Sequence, residues 1–188
     1  MVGPPKTISL TPFTGAGTIS APASRVGAPS LCVRACSDMR YVADYLPWWE
    51  QGRFARRYEV RGYGFPFRLD GWDEGWYECA GEDFTFDAGA RERYGEWRDW
   101  LAQSVMGMDA AGVARQYKKL AQCPFAKLIA FSDHEGAIGP ESSTRLAADF
   151  SRYGMDLLTG APSWKIDLYR NFAQAFEIAA RDGFVLFG

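Results

Sequence analysis

The sequence predicts an α+β domain in which a small antiparallel sheet in the N-terminal half packs against a mainly helical C-terminal half. Three observations carry this expectation. Of the 188 residues, 47% are apolar, which is enough for one substantial core at the size of one ordinary domain. Between Tyr58 and Phe86, short aromatic-rich runs are punctuated by Gly71, Gly75 and Gly81, the pattern of strands joined by tight turns. From Asp87 onward, apolar residues recur at the three- and four-residue spacing of helices.

Taken in chain order, residues 1–30 are rich in Pro, Gly, Ala, Ser and Thr and predict an extended or flexible arm, followed by a single globular domain over 31–188. The alternation Thr7-Ile8-Ser9-Leu10 is compatible with one edge strand. Ser37 is placed to cap a short helix to Leu46, whose stripe would be Met39, Val42, Tyr45 and Leu46, with Pro47 ending it. Trp48 and Trp49 follow, and adjacent residues on a strand face opposite ways. Strands are expected at 58–60, 65–67, 76–79 and 84–86.

Asp87 is a candidate cap for a helix to about Val105, carrying Tyr94, Trp97, Trp100 and Leu101. Asp109 would cap a second helix bearing Val113, Tyr117 and Leu120. The run Phe125 to Phe131 is too short to separate helix from buried strand. Pro140 suits the first turn of a helix that buries Leu146 and Phe150. A last helix from Ser163 would use Leu168, Tyr169, Phe172, Phe176 and Ala179, and the apolar tail Phe184 to Phe187 would return as a strand.

Composition narrows the function. Lys plus Arg number 21 against 23 Asp plus Glu, a net charge of -2, so nucleic acid is not expected as a partner on electrostatic grounds. No basic leader followed by an apolar core is present, and no run of about 18 apolar residues, so no membrane association is expected. The four cysteines are few for a disulfide scaffold and predict a reduced, cytoplasmic setting. Cys32 and Cys36 are close enough in sequence to bridge or share a metal. With one histidine and no CxxC, however, no metal or cofactor is expected.

Two regions concentrate chemistry. The loop Phe131-Ser-Asp-His-Glu-Gly-Ala-Ile-Gly-Pro140 holds Asp133, His134 and Glu135, and His134 is the sole histidine available as a neutral-pH proton carrier. Asp133, His134 and Glu135 are therefore the candidate catalytic residues. The competing reading makes the loop a helix entry, with Ser132 or Asp133 taking backbone amides and Glu141 complementing the helix start. The second region is an arginine and aromatic mixture from Arg53 to Arg68, in which Arg57, Arg61 and Arg68, with Trp72 and Trp76 beyond, could hold and stack on a nucleotide. Arginines on the outer face of a twisted strand pair would look the same. No G-x-S-x-G elbow, P-loop or dinucleotide fingerprint occurs.

The stretches Phe84-Thr-Phe-Asp-Ala-Gly-Ala-Arg-Glu-Arg-Tyr-Gly-Glu-Trp-Arg98, Phe131 to Pro140, and Phe176-Glu-Ile-Ala-Ala-Arg-Asp-Gly183 resemble a group of uncharacterised bacterial and phage-associated proteins. The resemblance covers roughly the C-terminal half to two-thirds and brings no activity, cofactor or site. It implies only that the junction at Asp87 and the acidic loop belong to one recurring architecture.

The expected function is a non-enzymatic intracellular interaction or regulatory protein, in the phage or mobile-element setting that the resemblance suggests. A protein partner or self-association is expected, since the aromatics, Trp 7, Tyr 9 and Phe 13, suffice for both a core and a contact surface. One alternative is a hydrolase of a nucleotide or other small polar substrate, working through Asp133, His134 and Glu135. The other is a nucleotide-binding or ligand-sequestering module, with a small-molecule ligand.

Overall fold

The computed structural model describes residues 30–51, 56–62, 69–131 and 136–188. The strand expected at 65–67 and the edge strand at 7–10 fall outside them. Two antiparallel sheets and a helical layer are present. Strand β1 (Ser30–Cys36) pairs on one side with β5 (Asp83–Ala90) and on the other with β7 (Phe184–Phe187), which in turn pairs with the short β6 (Gly136–Ile138). The second sheet has β4 (Gly75–Cys79) between β2 (Met39–Ala43) and β3 (Arg57–Val60). Strands thus lie mostly in the N-terminal half and helices in the C-terminal half, as an α+β fold requires.

Alternation along β1 and β7 assigns the two faces of the larger sheet. Leu31, Val33, Ala35, Val185 and Phe187 point into one core, whereas Cys36 and Phe184 point into another. The first core is closed by α2 (Arg91–Met106), α3 (Ala110–Arg115), α5 (Ala126–Ala130), α6 (Pro140–Leu158) and α7 (Ser163–Ala179). Its centre is aromatic: Trp97 stacks on Phe172 at 4.8 Å, Phe86 meets Phe172 edge-on at 5.0 Å, and Phe131 lies 4.4 Å from Phe187. The second, smaller core lies between the sheets, where Tyr77 and Trp72 pack on Phe184 beside Met39, Val60, Leu69 and Cys79.

The chain passes between the sheets at a knot of backbone. Ser37 and Asp38 carry β1 into β2, residues 80–82 carry β4 into β5, and residues 181–183 lead into β7. Ser37 N–H donates to Glu82 O, Asp38 N–H to Arg181 O, Met39 N–H to Asp182 O, and Gly81 N–H to Ser37 O. Ser37, 1% exposed, also accepts from Glu82 N–H through its hydroxyl. A Cβ at position 183 would fall 1.8 Å from the Cys36 carbonyl, so only glycine permits this approach.

This knot corrects the expected helix from Ser37 to Leu46. The amides of Asp38 and Met39 are taken by the 181–182 segment, and residues 39–43 pair with β4. A single ten-residue amphipathic stripe is too short to hold a helix against such pairing. The cap expected of Asp87 is also corrected, because β5 runs on to Ala90 and α2 begins at Arg91. The Asp87 carboxylate instead accepts from Ser30 Oγ and from Gly89 N–H, and these bonds hold its pKa below the usual carboxylate range.

The local signals further along are met. Asp109 caps α3 through Gly112 N–H at 2.6 Å, although Gln116 separates α3 from α4 (Tyr117–Leu120). Pro140 occupies the first turn of α6, and Leu146 and Phe150 are buried. Leu168, Tyr169, Phe172, Phe176 and Ala179 line the buried side of α7. The ambiguous run after Pro124 forms α5, entered through Phe125 in the left-handed region, φ 57°, with its N–H held by Asp149 Oδ2 at 2.8 Å. Among the described residues no helix is long and apolar enough to cross a membrane.

Candidate functional site

Asp133, His134 and Glu135, the candidate catalytic residues, lie outside the described residues, as does Arg68. The helix entry just beyond the acidic loop is described. Ser142, in the first turn of α6 and 6% exposed, donates its backbone N–H to Asp70 Oδ2 at 2.7 Å and its hydroxyl to Asp70 Oδ1 at 2.6 Å. Lys127, on α5, donates to Asp70 Oδ1 at 2.7 Å and also to the Ser142 hydroxyl. Burial pushes the Lys127 ammonium down, and the bond to Asp70 offsets only part of that.

A serine touching a partly desolvated lysine has the composition of a Ser–Lys nucleophile. Here the hydroxyl proton and the lysine both point at one carboxylate, and that carboxylate also caps α6. The cluster therefore binds the 69–72 turn to α5 and α6, with Leu69 in the inter-sheet core on one side of the turn and Trp72 on the other. Sequence reasoning missed Asp70 because the capping oxygen comes from a residue 72 positions away.

The arginine and tryptophan candidates do not converge. Arg57, on β3, lies 3.9 Å from Glu78, its cross-strand neighbour on β4. Arg61 is bonded to Glu59. Trp72 lies in the inter-sheet core at 5.2 Å from Phe184 and 5.7 Å from Tyr77. Trp76, 9% exposed, precedes Tyr77 on β4 and so faces the other side of the small sheet. A bridge between Cys32 and Cys36, which their sequence spacing left open, is excluded by their places on one strand: four residues of strand separate their Cα atoms by roughly 13 Å, beyond disulfide reach. Among the described residues no group of three His, Cys, Asp or Glu side chains is arranged around a metal position.

Two other features stand out. A cleft of about 250 Å³ opens between the end of β5 and the start of α7, lined in part by Asp87, Arg93, Trp164, Asp167 and Asn171, with the Arg93 guanidinium lying 4.8 Å over the Trp164 ring. The second feature is an aromatic rim on the small sheet. Tyr41 on β2, Tyr45 after it and Trp49 on α1 (Trp48–Gln51) keep 50%, 69% and 59% of their surface exposed. Tyr41 is fixed edge-on to Tyr77 at 5.4 Å and donates its hydroxyl to Asp44, a bond that pushes its pKa up to about 12.

Among the described residues, acidic groups flank the rim. Asp44 is exposed beside Tyr41, Glu50 follows Trp49, and exposed Asp73 and Glu74 precede Gly75, which packs on Ala43 and Tyr41. Arg40 points to the other face of β2, in register with Glu78. Comparison with protein-family models, curated proteins and solved structures finds no match for this chain.

Proposed function

We propose that this protein is a non-enzymatic interaction module whose contact surface is the aromatic rim Tyr41, Tyr45 and Trp49, and that its partner presents a basic protein segment there. One observation carries the reading: three large aromatic side chains, each at least half exposed, fall within nine residues, whereas the other aromatic side chains among the described residues are buried or half-buried. Aromatic side chains lose little conformational entropy on binding and supply most of the energy at protein contacts. Tyr41 is already held by Tyr77 and Asp44, so little ordering cost remains for it. The carboxylates of Asp44, Glu50, Asp73 and Glu74 favour Lys and Arg on the partner, which can also lie over the aromatic faces. The same carboxylates repel a phosphate backbone.

A labelled Arg-rich peptide is expected to bind more tightly than a Glu-rich peptide of equal length, with affinity falling as salt is raised. The double substitution Tyr45→Ala and Trp49→Ala should weaken that binding at least about tenfold. Equal binding of both peptides, or an unaffected double variant, defeats the reading.

A further inference from the structure

The cleft between the end of β5 and the start of α7 belongs to the large sheet, not to the small sheet that carries the rim. Its floor is apolar, since Ala88 and Leu168 are 2% and 6% exposed. Its walls are charged. Helical spacing puts Trp164, Asp167, Leu168 and Asn171 on one face of α7, while Arg93 reaches the cleft from the first turn of α2.

Arg93 is held in place without being neutralised. Its guanidinium lies 4.8 Å over the Trp164 ring, and its stem passes so close to Gly89 that a Cβ there would fall 3.1 Å from Arg93 Cδ. Among the described residues, no hydrogen bond or close ion pair takes the Arg93 N–H groups, and none engages the side chains of Asp167 or Asn171. Asp87 uses Oδ1 for Ser30 and for Gly89 N–H, which leaves Oδ2 without a hydrogen bond among the described residues. A cation in the first turn of α2 meets the positive end of the helix dipole, so helix energetics do not account for Arg93. The cleft therefore presents one fixed cation and two carboxylates above an apolar floor, the mixture of a small-molecule site.

We propose that this cleft binds a free basic amino acid, arginine or lysine, with the ligand carboxylate on Arg93 and its two cations on Asp87 and Asp167. A guanidinium fixed in position with its donors unused suits a carboxylate, which it holds through two parallel bonds. One positive and two negative charges on the protein match the one negative and two positive charges of such a ligand. Its methylene chain lies over Leu168 and Ala88. Asn171, which both donates and accepts, serves either end. The volume of about 250 Å³ accommodates a molecule of this size. An arginine or lysine inside a peptide lacks the terminal ammonium and carboxylate, so the free molecule is the better match. A phosphate-bearing ligand would meet two carboxylates against one guanidinium and is disfavoured.

The full-length chain is titrated calorimetrically with arginine, lysine, citrulline and agmatine. Arginine or lysine should saturate one site below about 10 mM. Citrulline, which replaces the side-chain cation by a neutral group of the same shape, and agmatine, which lacks the carboxylate, should each bind at least about tenfold more weakly than arginine. Arg93→Gln should abolish the preference for arginine over agmatine, and Asp167→Asn should weaken arginine at least about tenfold. Both positions are exposed, and melting curves confirm that the variants fold. No saturation by either amino acid, equal binding of arginine with citrulline or agmatine, or wild-type affinity for arginine in Arg93→Gln overturns the proposal.

Discussion

On the helix-covered face of the larger sheet, Tyr94, Trp97 and Phe172 are 0% exposed and Phe187 is 4% exposed. On the small sheet, Tyr41, Tyr45 and Trp49 keep half or more of their surface. Residue type is the same in both places; the number of covering elements differs. Trp97 is enclosed by helices and sheet, stacks on Phe172 and donates its indole N–H to Lys165 O at 3.3 Å. Tyr41 has Tyr77 on one side and solvent on the other. Aromatic content alone therefore does not divide core from contact surface. The layer in which a residue finds itself does.

Five substitutions, in three comparisons, test that contrast. Trp97→Ala should cost about 3–5 kcal/mol, by emptying a packed site, and should lower the urea midpoint accordingly. Tyr45→Ala, by contrast, should change stability by no more than about 0.5 kcal/mol. A large loss at Tyr45 would mean that the rim is structural. Second, Asp70→Ala should cost about 3 kcal/mol, because it leaves Lys127 buried without its carboxylate and removes the cap on α6. The companion Lys127→Met should cost less, since it removes a buried charge as well as a bond. Equal, small effects of both would show that the turn at 69–72 is not fastened through this pair.

The smallest effect concerns Asp149. Burial raises its carboxyl above the usual range, although Phe125 N–H, Arg145 and Arg152 pull it down. The folded state then holds a proton that the unfolded state has lost, so this group favours folding below the unfolded pKa of about 4 and loses that contribution as pH rises through the folded pKa. Asp149→Asn keeps an acceptor for Phe125 N–H and removes the charge. It should stabilise the protein by under about 1 kcal/mol near neutral pH, after allowance for solvent screening at a half-exposed group. At a pH near 3 the gain should vanish, as thermal melts at the two pH values can show.

What could be read from the sequence was local. Pro140, Asp109 and the stripe of α7 act within one or two turns, so their elements were legible in place. The helix expected over 37–46 failed because Asp38 and Met39 bond to residues 181 and 182, a pairing no window can contain. Asp87 has the composition of a cap, but its strand continues three residues further. Of the candidate site, Trp49 is exposed, but the strand alternation read for Trp48 and Trp49 does not explain it, since both lie on α1. Tyr41 and Tyr45 were not, since Tyr45 was assigned to a helical stripe. The Asp70 cap joins residues 72 positions apart, beyond the reach of any local pattern.

Strand β7 is the last of the described strands in chain order, yet it lies between β1 and β6. As the chain is synthesised, β1 and β5 can pair once residue 90 has emerged, but the other edge of β1 stays open until residues 184–187 follow. During that interval Val33 and Ala35 border an unpaired ladder of the sort that neighbouring chains capture. The nascent protein thus passes through an adhesive stage that its finished form conceals. How fast residues 184–187 slot into the gap sets how much of it escapes aggregation.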